Sequence, residues 1–205
     1  MKKKKKQFLI ATTNSGKLRE FKEALQDLDI EILSLKDFPE IKNVDETGST
    51  FEENALLKAT QYGHQSGIPV IADDGGLEID ILGGAPGVYT RRWIDKTKES
   101  TDEELIHHTL SLLEDVPEKK RTARLRLVCV FDDGEDVHAV EAAIEGRIVE
   151  EAGSYEEGFP FRALLYIPQF EKLYGELTEK EHDEINHRKK AIEKLKPIIK
   201  EKLGI

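Results

Sequence analysis

Two stretches of this chain carry residue types that could do chemistry. Ile71-Ala72-Asp73-Asp74-Gly75-Gly76-Leu77 sets two adjacent carboxylates where a short apolar run gives way to glycines. Ala11-Thr12-Thr13-Asn14-Ser15-Gly16-Lys17 ends an earlier apolar run in small polar residues, a glycine and a lysine. Carboxylates at a strand end suit a hard cation, because Mg²⁺ takes oxygen ligands and is usually held by one or two carboxylates plus substrate phosphates. A strand passing through Asn-Ser-Gly-Lys into a helix suits phosphate, which the first backbone N–H groups and a nearby cation can hold. Together they point to metal-assisted chemistry on a phosphorylated substrate.

Each stretch also has a plainer explanation. Asn14 and Lys17 make an ordinary helix start with an exposed lysine, and acidic turns usually hold nothing. Neighbouring carboxylates do, however, repel unless a cation or solvent relieves them.

The elements that must position these residues alternate between strand and helix. The pattern predicts a strand over Gln7–Ala11 and a helix over Gly16–Leu28 with apolar residues at 18, 21, 24, 25 and 28. A short strand follows at Ile30–Leu33. Thr50-Phe51-Glu52-Glu53 is a capping-box signature opening a helix to about Gln65, stopped by Gly67 and Pro69. Ile68–Ala72 is the next strand, and a helix from Ser100-Thr101 runs to about Leu113. Thr122–Phe131 and Val137–Ile148 form a hairpin across Asp132-Asp133-Gly134-Glu135-Asp136. From Thr178 a long charged helix runs towards Lys202, with Pro197 expected to bend or end its first part. Early β-α-β order and a later hairpin give an α/β fold with a mixed sheet flanked by helices. The long hairpin is expected to wall a central cleft between two lobes.

Composition limits the function classes. The chain has 205 residues, 38% hydrophobic and 35% charged, a balance suited to one domain over residues 7–205 or a body with a subsidiary lobe. No apolar stretch reaches the roughly 18 residues of a membrane span. Lys2–Lys6 precede only four apolar residues, too few for a signal sequence, and the expectation is a basic tail over residues 1–6. A net charge of −10 argues against broad nucleic-acid binding. The single cysteine, Cys129, cannot form an internal disulfide and reads as a buried thiol in a cytoplasmic protein.

Five motifs occur in a recognisable order. They are Thr12-Thr13-Asn14-Ser15-Gly16-Lys17; Asp45-Glu46-Thr47-Gly48 with Phe51-Glu52-Glu53-Asn54-Ala55-Leu56-Leu57-Lys58-Ala59; Ala72-Asp73-Asp74-Gly75-Gly76-Leu77; Leu82-Gly83-Gly84-Ala85-Pro86-Gly87-Val88-Tyr89; and Asn186-His187-Arg188. In this the chain resembles the inosine/xanthosine triphosphate pyrophosphatases from about Phe8 to Leu195. The resemblance implies an elongated α/β body with a central cleft, commonly a homodimer. It implies Mg²⁺-dependent cleavage between the α- and β-phosphates of deaminated purine nucleotides, giving monophosphate and pyrophosphate.

The resemblance also implies roles. Thr13, Asn14, Ser15 and Lys17 would hold phosphate, and Asn54 and Lys58, one turn apart on one helix beside Glu53, would both face the cleft, with Lys58 reaching the triphosphate. Asp74 would bind metal and act as general base, and Asp45 would be a second metal ligand. Glu46 and Asp73 would support them. For Lys58 a solvated position on an amphipathic helix is the plainer alternative. The Gly83–Gly87 loop borders the family's site, yet a structural turn explains it nearly as well, and Arg91 or Arg92 could serve either phosphate or the surface.

The nucleobase end departs from the family pattern Gly-Phe-Gly-Tyr-Asp-Pro. Here the stretch is Gly158-Phe159-Pro160-Phe161-Arg162-Ala163. Phe159 and Phe161 keep aromatic faces, but an acceptor-only carboxylate has become Arg162, a donor-only fork. His182 stands for a family lysine, Asn186 for a serine and Gly75 for the serine after the Asp pair, while His187 and Arg188 match the base-contacting pair. The expectation is a 6-oxopurine preference, with ATP a poor substrate and GTP less firmly rejected. The same chemistry on another modified or pyrimidine nucleotide, or nucleotide binding without turnover, are the alternatives.

Overall fold

The computed structural model describes residues 5–205, so Lys2–Lys4 of the expected basic tail lie outside the described residues. Lys5 pairs with Asp29 at 2.9 Å. The fold is α/β, with one mixed sheet of seven strands in the order β2-β1-β3-β4-β5-β6-β7. The strands are β1 (Lys6–Ile10), β2 (Ile30–Ser34), β3 (Val70–Ile79), β4 (Thr122–Asp132), β5 (Val137–Ile148), β6 (Leu165–Ile167) and β7 (Lys172–Leu173). β1 runs parallel to β2 and to β3, whereas β6 is antiparallel to both β5 and β7.

Among the described residues five α-helices accompany the sheet: α1 (Ser15–Ala24), α2 (Phe51–Ser66), α3 (Asp102–Leu112), α4 (Glu179–Ile185) and α5 (His187–Leu203). The chain divides into two compact units. The first takes in residues up to Asp74, Leu127–Ala142 and His187–Ile205; the second takes in Gly75–Arg126 and Ala143–Asn186. The core of the first joins Phe8, Ile10 and Ile71 of the sheet to Phe21 of α1 and Leu195 and Ile199 of α5. The core of the second gathers Leu77, Leu105, Ile144, Phe161, Leu165 and Tyr174.

Local chemistry sets the element ends. The Asn14 side chain caps α1 by accepting the Lys17 N–H at 3.0 Å, and Thr50 caps α2 through the Glu53 N–H at 3.1 Å. The reciprocal half of the α2 box is displaced: the Glu53 carboxylate accepts from Ser49 N–H and Oγ instead. Gly67 ends α2 at φ +68°, a backbone that favours glycine.

Three expectations are corrected. α1 stops at Ala24, not Leu28: Gln26 and Leu28 N–H groups bond three residues back, tightening the chain into a turn that still buries Leu25 and Leu28. The third strand does not end at the Asp pair but continues through Gly75 and Gly76 to Ile79. Gly76 serves close approach there, since a Cβ would lie 1.9 Å from Thr90 Oγ1, which accepts the Leu77 N–H. The expected C-terminal helix is two helices broken at Asn186 (ψ 111°), whose buried side chain suits an interruption. Pro197 sits inside α5 without ending it, because buried Leu195, Ile199 and Leu203 anchor both sides.

Candidate functional site

In the first unit, β3 delivers Asp73 and Asp74 into a buried group of charges. Asp74 is 8% exposed. Its Oδ2 accepts from Asn54 Nδ2 at 3.0 Å, and its Oδ1 lies 3.5 Å from Lys58 Nζ. Lys58 Nζ donates to Glu46 Oε1 at 2.8 Å. Asn54 and Lys58 share a face of α2 one turn apart, and Asn54 Oδ1 accepts the Gly48 N–H at 2.7 Å. One helix thereby ties the segment around Asp45 and Glu46 to the Asp74 carboxylate. Asp45 itself is exposed, and so is Glu53.

Asp73 belongs to a second set of partners. Its Oδ2 accepts from Lys17 Nζ at 2.9 Å and from Arg188 Nη2 at 3.1 Å, and Arg188 Nη1 also pairs with Glu20. The expected phosphate lysine is thus already hydrogen-bonded to the carboxylate beside Asp74. Thr13 and Ser15 are exposed around the start of α1, where the first N–H groups of the helix have no intrahelical acceptor.

The electrostatics of the two aspartates diverge. Burial raises the Asp74 carboxyl above its ordinary range, with Lys58 opposing it and Glu46 reinforcing it. Burial works the same way on Asp73, but Lys17 and Arg188 outweigh it and hold that carboxyl well below the usual range. Lys58 is buried too, yet Asp74 and Glu46 raise its ammonium. Four carboxylates (Glu20, Glu46, Asp73, Asp74) face three cations (Lys17, Lys58, Arg188), leaving one negative charge in excess.

Among the described residues no cluster of three or more His, Cys, Asp or Glu side chains could hold a metal by itself. Asp74, Glu46 and Asp45 are nonetheless all oxygen donors, the kind Mg²⁺ accepts when substrate phosphates complete its shell.

In the second unit, the Arg162 guanidinium lies over the Phe159 ring, 3.8 Å from its centroid, and 5.1 Å from that of Tyr174. Glu156 is 3.8 Å from Arg162 Nη1. Tyr174 stacks on His182 with centroids 5.2 Å apart, and its Oη meets His182 Nε2 at 3.0 Å. Phe161 is buried in the core instead of presenting an open face. Gly75 lies within β3, and Asn186 is buried at the end of α4. His187 is buried at the start of α5 in the first unit. Arg91 is engaged by Asp102 at 2.6 Å, and the other Asp102 oxygen accepts the Gly158 N–H at 2.7 Å.

The sequence placed Asn54 beside Lys58 facing the cleft, but gave no site role to Glu20 or Tyr174. Glu20 carried a usable signal, since it is one helical turn from the candidate Lys17. Tyr174 stands in no motif and carried none.

The chain is similar to known proteins over nearly its whole length. The Ham1 family model matches residues 8–198. A Bacillus cereus protein named dITP/XTP pyrophosphatase is 41% identical over 199 residues, covering 96% of each chain. Its Bacillus subtilis namesake is 40% identical over 195 residues, covering 95% of this chain and 97% of its own. The solved structure of a HAM1 protein from Coxiella burnetii superposes with a TM-score of 0.84 at 34% identity, covering 96% of this chain and 99% of its own. The Staphylococcus aureus Ham1 protein gives 0.82 at 31% identity, over 95% and 98%.

Proposed function

The chain belongs to the Ham1 family, and we propose that it uses Mg²⁺ to hydrolyse deaminated purine nucleoside triphosphates to the monophosphate and pyrophosphate. It is an enzyme, a nucleoside-triphosphate pyrophosphatase, like the relatives named for dITP and XTP. The observation that carries the mechanism is the Asp74 carboxylate, buried and oriented by Asn54 and Lys58 beside a lysine-bearing helix start.

In the reaction, the oxygen of a water forms a bond to phosphorus while the α–β bridging P–O bond breaks and its oxygen leaves on pyrophosphate. Asp74 accepts the water's proton, a task suited to a carboxyl whose basicity burial has raised. Lys17 and Lys58 hold phosphate oxygens as point charges. Asn14, whose side chain caps α1, fixes the direction of its N–H groups, with Thr13 and Ser15 flanking the phosphate. The excess negative charge of the group would repel a bare triphosphate, which is why a cation must accompany the substrate. Asp74 and Asp45, with Glu46 nearby, would hold Mg²⁺. When bound it supplies neutralisation of phosphate charge and a lowered pKa for a water.

The base end supports a 6-oxopurine preference. The Arg162 fork can donate to a purine O6/N7 edge, as arginines do when reading guanine, whereas adenine offers an amino donor at that position. ATP is then a poor substrate and GTP is less firmly rejected than where the family aspartate stands. Homodimeric assembly and a cytoplasmic setting, in keeping with the buried Cys129 thiol, belong to the same proposal.

The test is a panel of inosine, xanthosine, guanosine, adenosine and pyrimidine triphosphates, with and without Mg²⁺. Pyrophosphate and monophosphate from the 6-oxopurines, only with Mg²⁺, are expected. Diphosphate and orthophosphate as primary products would defeat the assignment.

A further inference from the structure

The second unit holds a carboxylate that the proposed chemistry does not use. Asp102 is the first residue of α3, its side chain is only 12% exposed, and its two oxygens go to different segments. Oδ1 accepts from Arg91 Nη1 at 2.6 Å, and Oδ2 accepts the Gly158 N–H at 2.7 Å. Arg91 is held in its turn: its Nη2 donates to the Ser100 carbonyl at 3.2 Å, and its own carbonyl accepts the N–H of the buried Ser100 at 2.8 Å. The carboxylate is therefore fixed from the α3 side. Across from it, the Phe159 N–H closes a four-residue turn on the Glu156 carbonyl at 3.0 Å, with Gly158 in third place at φ +86°, where glycine is favoured. That turn does not use the Gly158 N–H, and Asp102 supplies its acceptor. Before the turn's end the chain is open to solvent at Ser154, Glu156 and Glu157. After it, residues 160–163 are buried, and Phe161 and Ala163 share a core with Leu105 and Ile106 of α3. Phe159, under the Arg162 guanidinium, thus has a packed anchor on one side and the Asp102 hydrogen bond on the other.

We propose that Asp102 is a positioning residue for the nucleobase: it fastens the Glu156–Phe159 turn to α3 and so sets where Phe159 and the Arg162 fork stand. This deepens the base preference given above and rests on it. A hydrogen bond to an ionised acceptor is stronger than one between neutral groups, so a solvent-facing turn is held in one place by a single contact. Arg91 contributes by aiming the carboxylate. A donor fork tells a 6-oxo from a 6-amino edge only while it is held to within about 0.5 Å of the productive geometry. A polyphosphate without a base has nothing for this turn to place, and its binding does not depend on Asp102.

The test compares the full chain as wild type, Asp102→Ala and Asp102→Asn, with Mg²⁺ present. Two quantities are read: kcat/KM for inosine and adenosine triphosphates, and the calorimetric affinity for inorganic triphosphate, which has phosphates and no base. Asp102→Ala removes the acceptor of both Gly158 and Arg91. It is expected to raise KM for inosine triphosphate and to lower the inosine-to-adenosine ratio by roughly tenfold, the scale of a hydrogen bond to a charged group. Inorganic triphosphate should bind as in wild type. Asp102→Asn keeps one acceptor oxygen and should retain part of the ratio. An unchanged ratio in Asp102→Ala overturns the proposal, and so does a wild type with no preference between the two bases. A loss of triphosphate affinity equal to the loss for inosine triphosphate also overturns it, because Asp102 would then only brace the fold. If circular dichroism shows Asp102→Ala unfolded, Asp102→Asn decides on the same criteria. A wild-type chain that binds inosine triphosphate more tightly than adenosine triphosphate but hydrolyses neither would defeat the proposed function, and calorimetric affinities for the two nucleotides would then decide on Asp102.

Discussion

The two units hold their charges by different means. In the first, three cations and four carboxylates bond to one another at 2.8–3.5 Å, apart from the closer Arg188–Glu20 contact, around two neighbouring aspartates. In the second, the Arg162 guanidinium rests against the Phe159 and Tyr174 rings, and Tyr174 stacks in turn on His182. A group of opposed charges responds to any polyphosphate and its cation, whatever base is attached. An arginine on aromatic rings offers flat surface and a donor fork, which differ in value from base to base. Turnover should therefore be governed by the first region and discrimination by the second.

The sharpest way to break this division is Asp74→Asn. Loss of a general base costs on the order of 10²–10⁴ in rate, so kcat should fall by that much on every nucleotide, with the base ratios kept. Stability should move the other way. The folded Asp74 carboxyl is raised, so it contributes stability only below its unfolded pKa and loses it as pH rises through the folded one. At neutral pH without Mg²⁺ the asparagine variant should thus melt higher than wild type. Near-native turnover would remove Asp74 from the mechanism.

Asp73→Asn tests the neighbouring carboxylate, whose shift has the opposite sign. Removing it leaves the buried Arg188 guanidinium with Glu20 alone and takes the carboxylate from the part-exposed Lys17, so the cost should lie below the roughly 3–5 kcal/mol of breaking a fully buried pair. Because the folded pKa of Asp73 is depressed, its contribution is present above the unfolded value of about 3.9 and fades as pH falls below it. Wild-type melting temperature should drop on acidification through that range, and the variant should show a shallower drop. Parallel acid profiles for the two proteins would show that Asp73 carries no such linkage.

Lys58→Ala sharpens the comparison within the first region. A charge-assisted contact is worth about 1.5–3 kcal/mol, so kcat/KM should fall tenfold or more, equally for all bases. If both KM and kcat stay as in wild type, Lys58 serves only to neutralise Glu46 and Asp74.

The same division describes what could be read from the sequence. Thr50, Gly67 and the apolar spacing between them define α2 to within a residue, because caps and periodicity are local. The extension of β3 past Gly76 was hidden, since its cause is Thr90 arriving from a distant loop. The break at Asn186 was equally hidden, there being no glycine or proline to mark it. In the charged region, Asp74 and Lys58 were named from motifs and lie together, and α2 places Asn54 with them. In the aromatic region Phe159 and Arg162 were named, but their packing depends on Tyr174, which no local pattern singles out. Long-range packing, not residue type, was the part out of reach.

The smallest expected effect, and the one aimed at the second region, comes from Arg162→Met. Methionine fills a similar space between Phe159 and Tyr174 and keeps favourable sulfur–ring contacts, so the fold should survive with little change. What disappears is the donor fork and the cation over the rings, worth about 0.5–2 kcal/mol. The preference for inosine over adenosine triphosphate in kcat/KM should shrink by a few-fold, since a 6-oxo acceptor loses its partner while a 6-amino donor loses a repulsive one. Turnover at saturating inosine triphosphate should change less than that ratio, because the carboxylates and lysines of the first region are untouched. An unchanged ratio would mean that Arg162 only packs the aromatic rings, and discrimination would then have to come from His182, Asn186 and His187.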